Sequence, residues 1–562
     1  MKKIFSLLSL FIFAIVQVQA QNEGKDYGQI HGNFQTNAQY YLQDTIIDPN
    51  GTAFPDERML AAGFLNLTYT KGNFMAGVRY ENYQNNLIGL PEGFQGEGIP
   101  YRFARYKTDG LDVTVGNYYE QFGSGLVFRT YEERGLGLDN AMDGLRLIFD
   151  IQPGLTAKAL VGRQRIYFQT GDGIVRGGDI ELNLNEFRDK RSSTNLIVGA
   201  SVISRFQEAQ DPIFNLPENV ASGGIRANFI SGDFNIFAEY AYKSQDPNSS
   251  NRFIYKPGHA IYATASYARG NLGLILGYKY YDNFLFRSQR VGNFTEALIN
   301  YLPPLAELHT YALPALYSYN IQANGETGVQ AELSYKFNRG SLLGGKYGTL
   351  LNVNFSNAYA LNKDFTFREG LDSTQTISGT NGYQDWAGAG NIQYSQDFNV
   401  EVKSKINKNL KGTFSYYNFI YNRSALLDGV IDDLVTDPEA LDIVYVNAAV
   451  AELLWKIKPK HSLRTEAQLM LTDQDRGSWA MLLLEYSIAP AWFVAVQDAY
   501  NYGHPDPDLR VHYPIVSMGY TRGTTKFQLN YGRQQEGVFC VGGICRVVPA
   551  SNGFSMLITS NF

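Results

Sequence analysis

The residues most able to do chemistry are the six histidines, His31, His259, His309, His461, His504 and His512. Only His504 and His512 lie near each other, so no set has the close spacing of a structural metal site. His461 is followed by Ser462, but neighbours along a strand point to opposite faces, which separates that hydroxyl from the imidazole that would activate it. His31 has no serine at a useful spacing. Asp432, Asp433, Asp437 and Glu439 do not have the spacing of a compact calcium loop and read as a solvated segment. The expectation is no catalytic residue, no metal, no cofactor and no enzymatic activity.

Cys540 and Cys545 bracket a Gly-Gly turn. In an oxidising compartment two such thiols are expected to form a disulfide, and only Arg546 offers the electropositive neighbour of a reactive thiol. Arginine is dense in the first third, at Arg79, Arg102, Arg105, Arg129, Arg134, Arg146, Arg163 and Arg165. Rings of arginine or carboxylate at a constriction set ion preference in pores. The other reading is that Arg79 and Glu81, on one strand face, simply pair inside a water-filled wall. A net charge of −6 leaves no basic footprint for nucleic acid.

These residues sit in a chain whose periodicity is that of strands. Val329, Ala331, Leu333, Tyr335 and Phe337 alternate with Gln330, Glu332, Ser334 and Lys336, giving one apolar and one polar face. The same alternation runs through Ile225, Ala227 and Phe229 against Arg226 and Asn228, and through Phe527, Leu529 and Tyr531. Tyr 39, Phe 35 and Gly 55 with 18% charged residues favour aromatic strands and glycine turns over helices. Beyond the first residues no apolar run is long enough for a membrane helix.

Alternation alone does not place the apolar face in lipid; the connections do. Tight turns at 71–73, 108–110, 231–233, 269–271, 405–409, 458–461, 488–490 and 521–524 alternate with long loops at 84–98, 121–140, 207–219, 283–324, 359–391, 422–442 and 534–551. Short turns on one side and long loops on the other are the pattern of outer-membrane barrels, with turns periplasmic and loops extracellular. The expected fold is all-β: a closed transmembrane antiparallel β-barrel of about 24 strands, within roughly 18 to 26. Segments 27–43 and 178–192 are the least regular.

Lys2 and Lys3, the apolar run 4–18 and the small-residue site ending at Ala20 read as a secretory signal peptide over 1–20, leaving 21–562 as a single barrel domain. Gln21 in place of Cys disfavours a lipoprotein. Strand pattern begins near Tyr27, which disfavours a receptor with a globular plug ahead of the barrel. The chain ends on Phe562, with Phe554, Met556 and Ile558 on the same face. That tail resembles the terminal strand signal read by the barrel-assembly machinery.

Residues 116–147, where Gly116, Gly123, Gly125, Gly135 and Gly137 precede Asp143-Gly144-Leu145-Arg146, resemble the region of Gram-negative porins in which a glycine-rich loop bends into the lumen. With the tail from Gly537 through Cys540 and Cys545 to Phe562, the chain is similar to an uncharacterised family of Bacteroidota outer-membrane proteins. That resemblance implies a barrel and a location, with no catalytic residues to carry over. Loop 283–324 contains Leu302, Pro303, Pro304, Leu305 and, further on, Leu313 and Leu316, too apolar for a solvated loop, so it packs either inward as a constriction or outward against a partner.

The functional expectation is a porin-like outer-membrane channel for passive passage of small solutes. Arg79, Glu81, Arg146, Arg226, Glu332 and Lys336 would line a lumen partly occluded by loops 121–140 and 283–324. The alternative is a non-conducting barrel that acts as a scaffold or accessory subunit of an envelope assembly or secretion complex. Expected partners are outer-membrane lipid, the barrel-assembly machinery and, on the second reading, an envelope protein.

Overall fold

The computed structural model describes residues 27–48, 51, 55–85, 87–188, 192–292, 296–366, 378–426, 441–541 and 544–562. The 1–20 segment and the acidic residues 432–439 lie outside them. Alternation along the chain becomes the two faces of one sheet. In the strand Gly325–Phe337, Val329 and Leu333 are exposed while Gln330 is buried. In Trp492–Tyr500, Val494 and Val496 face out and Ala499 is buried. Apolar outside and polar inside inverts the arrangement of a water-soluble sandwich and suits a sheet whose outer face meets hydrocarbon.

Among the described residues 24 strands form one antiparallel sheet, and three short two-stranded pairs lie in the long connections. The last strand, Ser551–Asn561, pairs with the first, Gln29–Tyr41, in a register running from Asn33 opposite Asn561 to Tyr41 opposite Gly553. Phe562 extends the seam: its N–H donates to the Gly32 carbonyl at 2.9 Å and its carbonyl accepts from the Gly32 N–H at 2.8 Å. The sheet is thereby closed. Closure is forced by the solvent, because an open edge in hydrocarbon leaves a row of unbonded peptide groups.

Two-residue turns gather at one end of the barrel. Gly72 and Gly270 open two of them at φ 54 and φ 61, left-handed values that glycine takes without a Cβ clash. The long connections gather at the other end. Three connections depart from the alternation read in the sequence. Residues 184–193 and 338–348 make longer links at the turn end, and Tyr167 and Phe168 alone join Leu155–Ile166 to Gln169–Asn183 at the loop end. Tyr167 takes φ 55 and its ring packs edge-on against Phe94 at 4.7 Å. The expected 359–391 loop is also shorter: Thr349–Phe365 and Tyr383–Lys405 stay paired out to Phe365 opposite Tyr383, so the connection is 366–382. Register shifts near Tyr359 and Leu361 disturb the alternation there, which is why polar Asn362, Lys363 and Asp364 read as loop.

Aromatic pairs mark both rims of the outer face: Trp492 with Tyr520 at 4.3 Å and Phe234 with Tyr267 at 4.6 Å near the turns, Tyr531 with Phe554 at 4.4 Å nearer the loops. Amphipathic rings prefer such headgroup depths. Phe554 and Met556 of the tail lie on this outer face, 44% and 39% exposed. At the seam, Gly553 has φ 150, and a Cβ there would stand 2.1 Å from the Tyr40 carbonyl oxygen. Gly553→Val should therefore lower the folded, heat-modifiable fraction on SDS gels, whereas Ser555→Ala on the same strand should not; equal folding of both would show that the seam tolerates displacement.

Candidate functional site: the lumen and its inner loops

Inward-facing side chains carry most of the buried charge, and two long connections reach in to meet them. Arg79 and Glu81, on the strand Phe74–Gln84, pair at 2.7 Å. Arg79 also pairs with Asp139 and with Glu132 at 2.9 Å, both from the connection between Leu111–Tyr118 and Met142–Gln152. Arg165 joins the same group through Glu81 at 2.6 Å. It shares sequence parity with Arg163, which is exposed; a register shift between them turns Arg165 inward. No alternation rule predicts that turn, because the ladder slips there: Gln164 alone on one strand stands against Gly171, Asp172 and Gly173 on the other.

Arg146 sits in a neighbouring network, 3.1 Å from Asp112 and 3.4 Å from Glu120, and Lys158 reaches Glu120 at 2.8 Å. Arg226 is held by Asp179 at 2.6 Å and Glu181 at 2.9 Å. Beside it, Glu239 accepts the Ser124 N–H at 2.8 Å. A Cβ on Gly123, at φ 53, would come within 2.9 Å of Arg226 Cδ, so glycine is what lets this backbone lie on the wall. Glu332 is half-buried and accepts from Gln330 at 2.7 Å, while Lys336 is exposed near the turn end. The structure thus gathers Arg79 with Glu81, sets Arg146 and Arg226 in separate anchors, and leaves Glu332 and Lys336 apart from all of them.

The 283–324 connection begins and ends on hydrogen-bonded neighbours, Leu272–Asp282 and Gly325–Phe337. Between them it spans to the far wall. The Pro303 carbonyl accepts from the Tyr281 hydroxyl at 2.8 Å; His309 lies 2.8 Å from Asp397; the Leu313 N–H donates to Gln468 at 2.9 Å. The Leu298 carbonyl accepts from Gln164 on Leu155–Ile166 at 3.0 Å, whereas Gln468 lies on His461–Leu471, about half the 24-strand circuit away, so the segment crosses the lumen. On the return, Tyr319 meets Lys279, whose ammonium pairs with Glu326 at 2.8 Å.

The two connections also bond to each other: Arg129 N–H to the Ile299 carbonyl and Tyr301 N–H to the Gly125 carbonyl, both at 2.9 Å. Phe122, Phe128, Phe284 and Phe286 bury their rings in one cluster with inward Val175, Ile203 and Tyr281. Each such ring contributes roughly 1.5–3 kcal/mol. The hairpin Gly537–Val541 with Ile544–Val548, joined by the Cys540–Cys545 disulfide across a Cα separation of 4.1 Å, packs Ile544 against Leu136, Leu138 and Leu298 of both connections.

A cavity of about 720 Å³ remains on the side of the lumen next to the seam. Gln35, Asn37, Gln497, Ser517, Asn530 and Ser555 contribute to its wall from the strands, and Leu90, Glu132, Arg134 and Leu316 from the loops. Sequence reasoning on charged residues passed over this wall; the signal was the polar set Gln35, Asn37 and Gln39 at every second position of the first strand. Among the described residues no three His, Cys, Asp or Glu side chains are placed to hold a metal ion.

A closed antiparallel barrel, apolar outside and polar within, is the fold of integral outer-membrane proteins, and this one has long connections packed into its lumen. The chain belongs to the family described as "Family of unknown function (DUF6029)", whose model matches residues 1–562. No curated protein matches it. Among solved structures, the siderophore receptor PirA from Pseudomonas aeruginosa shares 10% identity over 96% of this chain and 81% of its own, with a TM-score of 0.40. The outer membrane protein opdK from the same organism shares 13% over 79% and 97%, at 0.34. The outer membrane transporter YddB from Escherichia coli shares 8% over 95% and 81%, at 0.38.

Removing Arg79 leaves Glu132 and Asp139 without a cation that they now share. Breaking a buried pair of this kind costs about 3–5 kcal/mol. Arg79→Ala is expected to expose the 131–141 segment to trypsin at Arg134 while the barrel remains folded, with Arg79→Lys intermediate; cleavage indistinguishable from the unaltered protein would show that this network does not hold the loop.

Proposed function

We propose that this protein is an outer-membrane channel through which small solutes pass passively, along the side of the lumen that the two inner connections leave open. The cavity of about 720 Å³ beside the packed loops carries the reading. Its size falls within the roughly 300–1,000 Å³ of small-molecule sites, and its wall continues the polar inner faces of the strands on either side of the seam.

On this reading the 1–20 segment directs export and is removed, the short turns face the periplasm and the long loops the exterior. The barrel-assembly machinery would read the terminal strand at Phe554, Met556, Ile558 and Phe562. Arg79, Glu81, Arg146 and Arg226 act mainly as anchors of the inner loops, while Glu332 and Lys336 meet solvent and ions in the lower lumen. A barrel this wide needs such filling, because bare strands would enclose a large aqueous hole.

The test is single-channel recording of the refolded protein in a planar bilayer. Small, steady conductance is expected, and deleting 303–316, the part that crosses the lumen, should enlarge it several-fold. Arg146→Gln should shift ion preference toward cations, since Asp112 and Glu120 then lose a shared positive partner. A folded but silent barrel would favour the scaffold reading, with the loop end as the docking face.

A further inference from the structure

We infer that the seam-side cavity selects a neutral, polyhydroxylated solute, a short oligosaccharide in chemical class. The inference deepens the channel reading and rests on it for the cavity's place on a route of passage. It comes from three features of the wall: the cancellation of its charges, the chemistry of its polar groups and the position of its rings.

Among the described residues, every acidic side chain on the wall has a cation against it. Glu132 pairs with Arg134 at 2.6 Å and with Arg79 at 2.9 Å; Glu81 and Asp139 both pair with Arg79 and Arg165. Arg533, the remaining arginine of the wall, pairs with Asp44 at 2.7 Å. A carboxylate, phosphate or ammonium entering the cavity would leave water without meeting an uncompensated opposite charge, so its desolvation would go unrepaid.

The remaining polar groups are neutral and two-sided. The carboxamides of Gln35, Asn37, Gln39, Gln497 and Asn530 each carry both donors and acceptors, and Ser517 and Ser555 carry hydroxyls that do both. Gln35 accepts from Arg134 at 3.1 Å, Gln39 accepts from the Tyr41 hydroxyl, and Asn530 accepts from Gln528 at 3.1 Å and donates to Ser555 at 2.9 Å, which fixes the orientation of these amides. A sugar hydroxyl is itself both donor and acceptor, and adjacent hydroxyls on a ring match such amide groups. A site of this kind favours a solute whose hydroxyls can satisfy the amide donors and acceptors that the contacts within the wall do not use, such as those of Asn37 and Gln497.

Aromatic rings complete the match. Tyr41, Phe64 and Tyr83 border the cavity as buried rings, Phe64 and Tyr83 edge to face at 5.6 Å between centroids with the Arg134 guanidinium 4.3 Å over Phe64, and Tyr513 is half-buried on the same wall. The half-buried Tyr513 ring beside a rim of amides suits the amphipathic outline of a pyranose, whose C–H face is greasy and whose edge is wet.

The experiment uses the full refolded protein, with binding by calorimetry in detergent and current interruption in planar bilayers. The probes are neutral trisaccharides of gluco, galacto, manno and xylo configuration, the anionic trimer trigalacturonate, and triglycine. At least one neutral trisaccharide should bind about tenfold or more tightly than trigalacturonate and triglycine, and should interrupt the current. The double variant Asn37→Leu with Gln497→Leu should weaken that binding by about tenfold or more, with heat-modifiable folding retained. Should it fail to fold, Asn530→Asp supplies the second variant, expected to weaken neutral binding without improving that of trigalacturonate. Absence of binding by all four neutral trisaccharides, equal binding of trigalacturonate, or an unchanged affinity in the folded variant would overturn the inference. Saccharide binding to a silent barrel would refute the channel reading alone, and steady conductance without saccharide binding would refute the saccharide alone.

Discussion

Backbone hydrogen bonding in hydrocarbon governs everything else in this molecule. Each peptide group at membrane depth must find its partner within the protein, and a sheet achieves this only by returning to its own first strand. Here the return is made by Ser551–Asn561 against Gln29–Tyr41, with Phe562 adding a last reciprocal pair on Gly32. The outer face can then be nearly uniform in apolar character because no polar edge remains to be screened. A sheet of 24 strands, however, encloses far more space than its own inward side chains fill. The inner loops are the consequence of that width.

Those loops are held by two kinds of interaction with different physical roles. The phenylalanine cluster supplies the non-directional part, since rings removed from water stabilise whatever arrangement packs them. The ion pairs supply position. Taking Arg79, Glu81, Asp139 and Arg165 out of water is costly, and the group is tolerable only where each charge meets its counterpart at short range. A loop displaced along the wall would keep some apolar contact and lose the pairing. The same division recurs where Lys279 and Glu326 receive the returning limb of the 283–324 connection beside buried Tyr281.

The loops close one side of the lumen and leave the other with a cavity, and the two sides differ in chemistry. The packed side holds charge in cancelling pairs. The open side carries amides, hydroxyls and rings, groups that hydrogen-bond and stack without a net field. On the proposed channel reading, selectivity would follow from desolvation: a charged solute would lose its water for nothing in return, whereas a neutral hydroxylated one exchanges hydrogen bonds.

Much of the fold was legible in the chain because the relevant physics is local. Alternation of Val329, Ala331 and Leu333 with Gln330 and Glu332 specifies a two-faced strand wherever it occurs, and tight turns such as Gly72-Asn73 set antiparallel neighbours. Where the ladder slips, local rules fail: the shift near Tyr359 hid the length of Thr349–Phe365, and the bulge before Arg165 hid its inward turn. The individual anchors Arg79, Glu81, Arg146 and Arg226 were visible as polar residues on strand faces, but their partners Asp139, Asp112 and Asp179 were not, since residues far apart in sequence meet only after the barrel has closed. By itself, the sequence determined a two-faced antiparallel sheet with short turns at one end, because side-chain period and turn chemistry act over a few residues. Only the tertiary structure decided which charges pair, how 283–324 crosses the lumen and where a cavity remains, because those depend on which distant strands closure brings face to face.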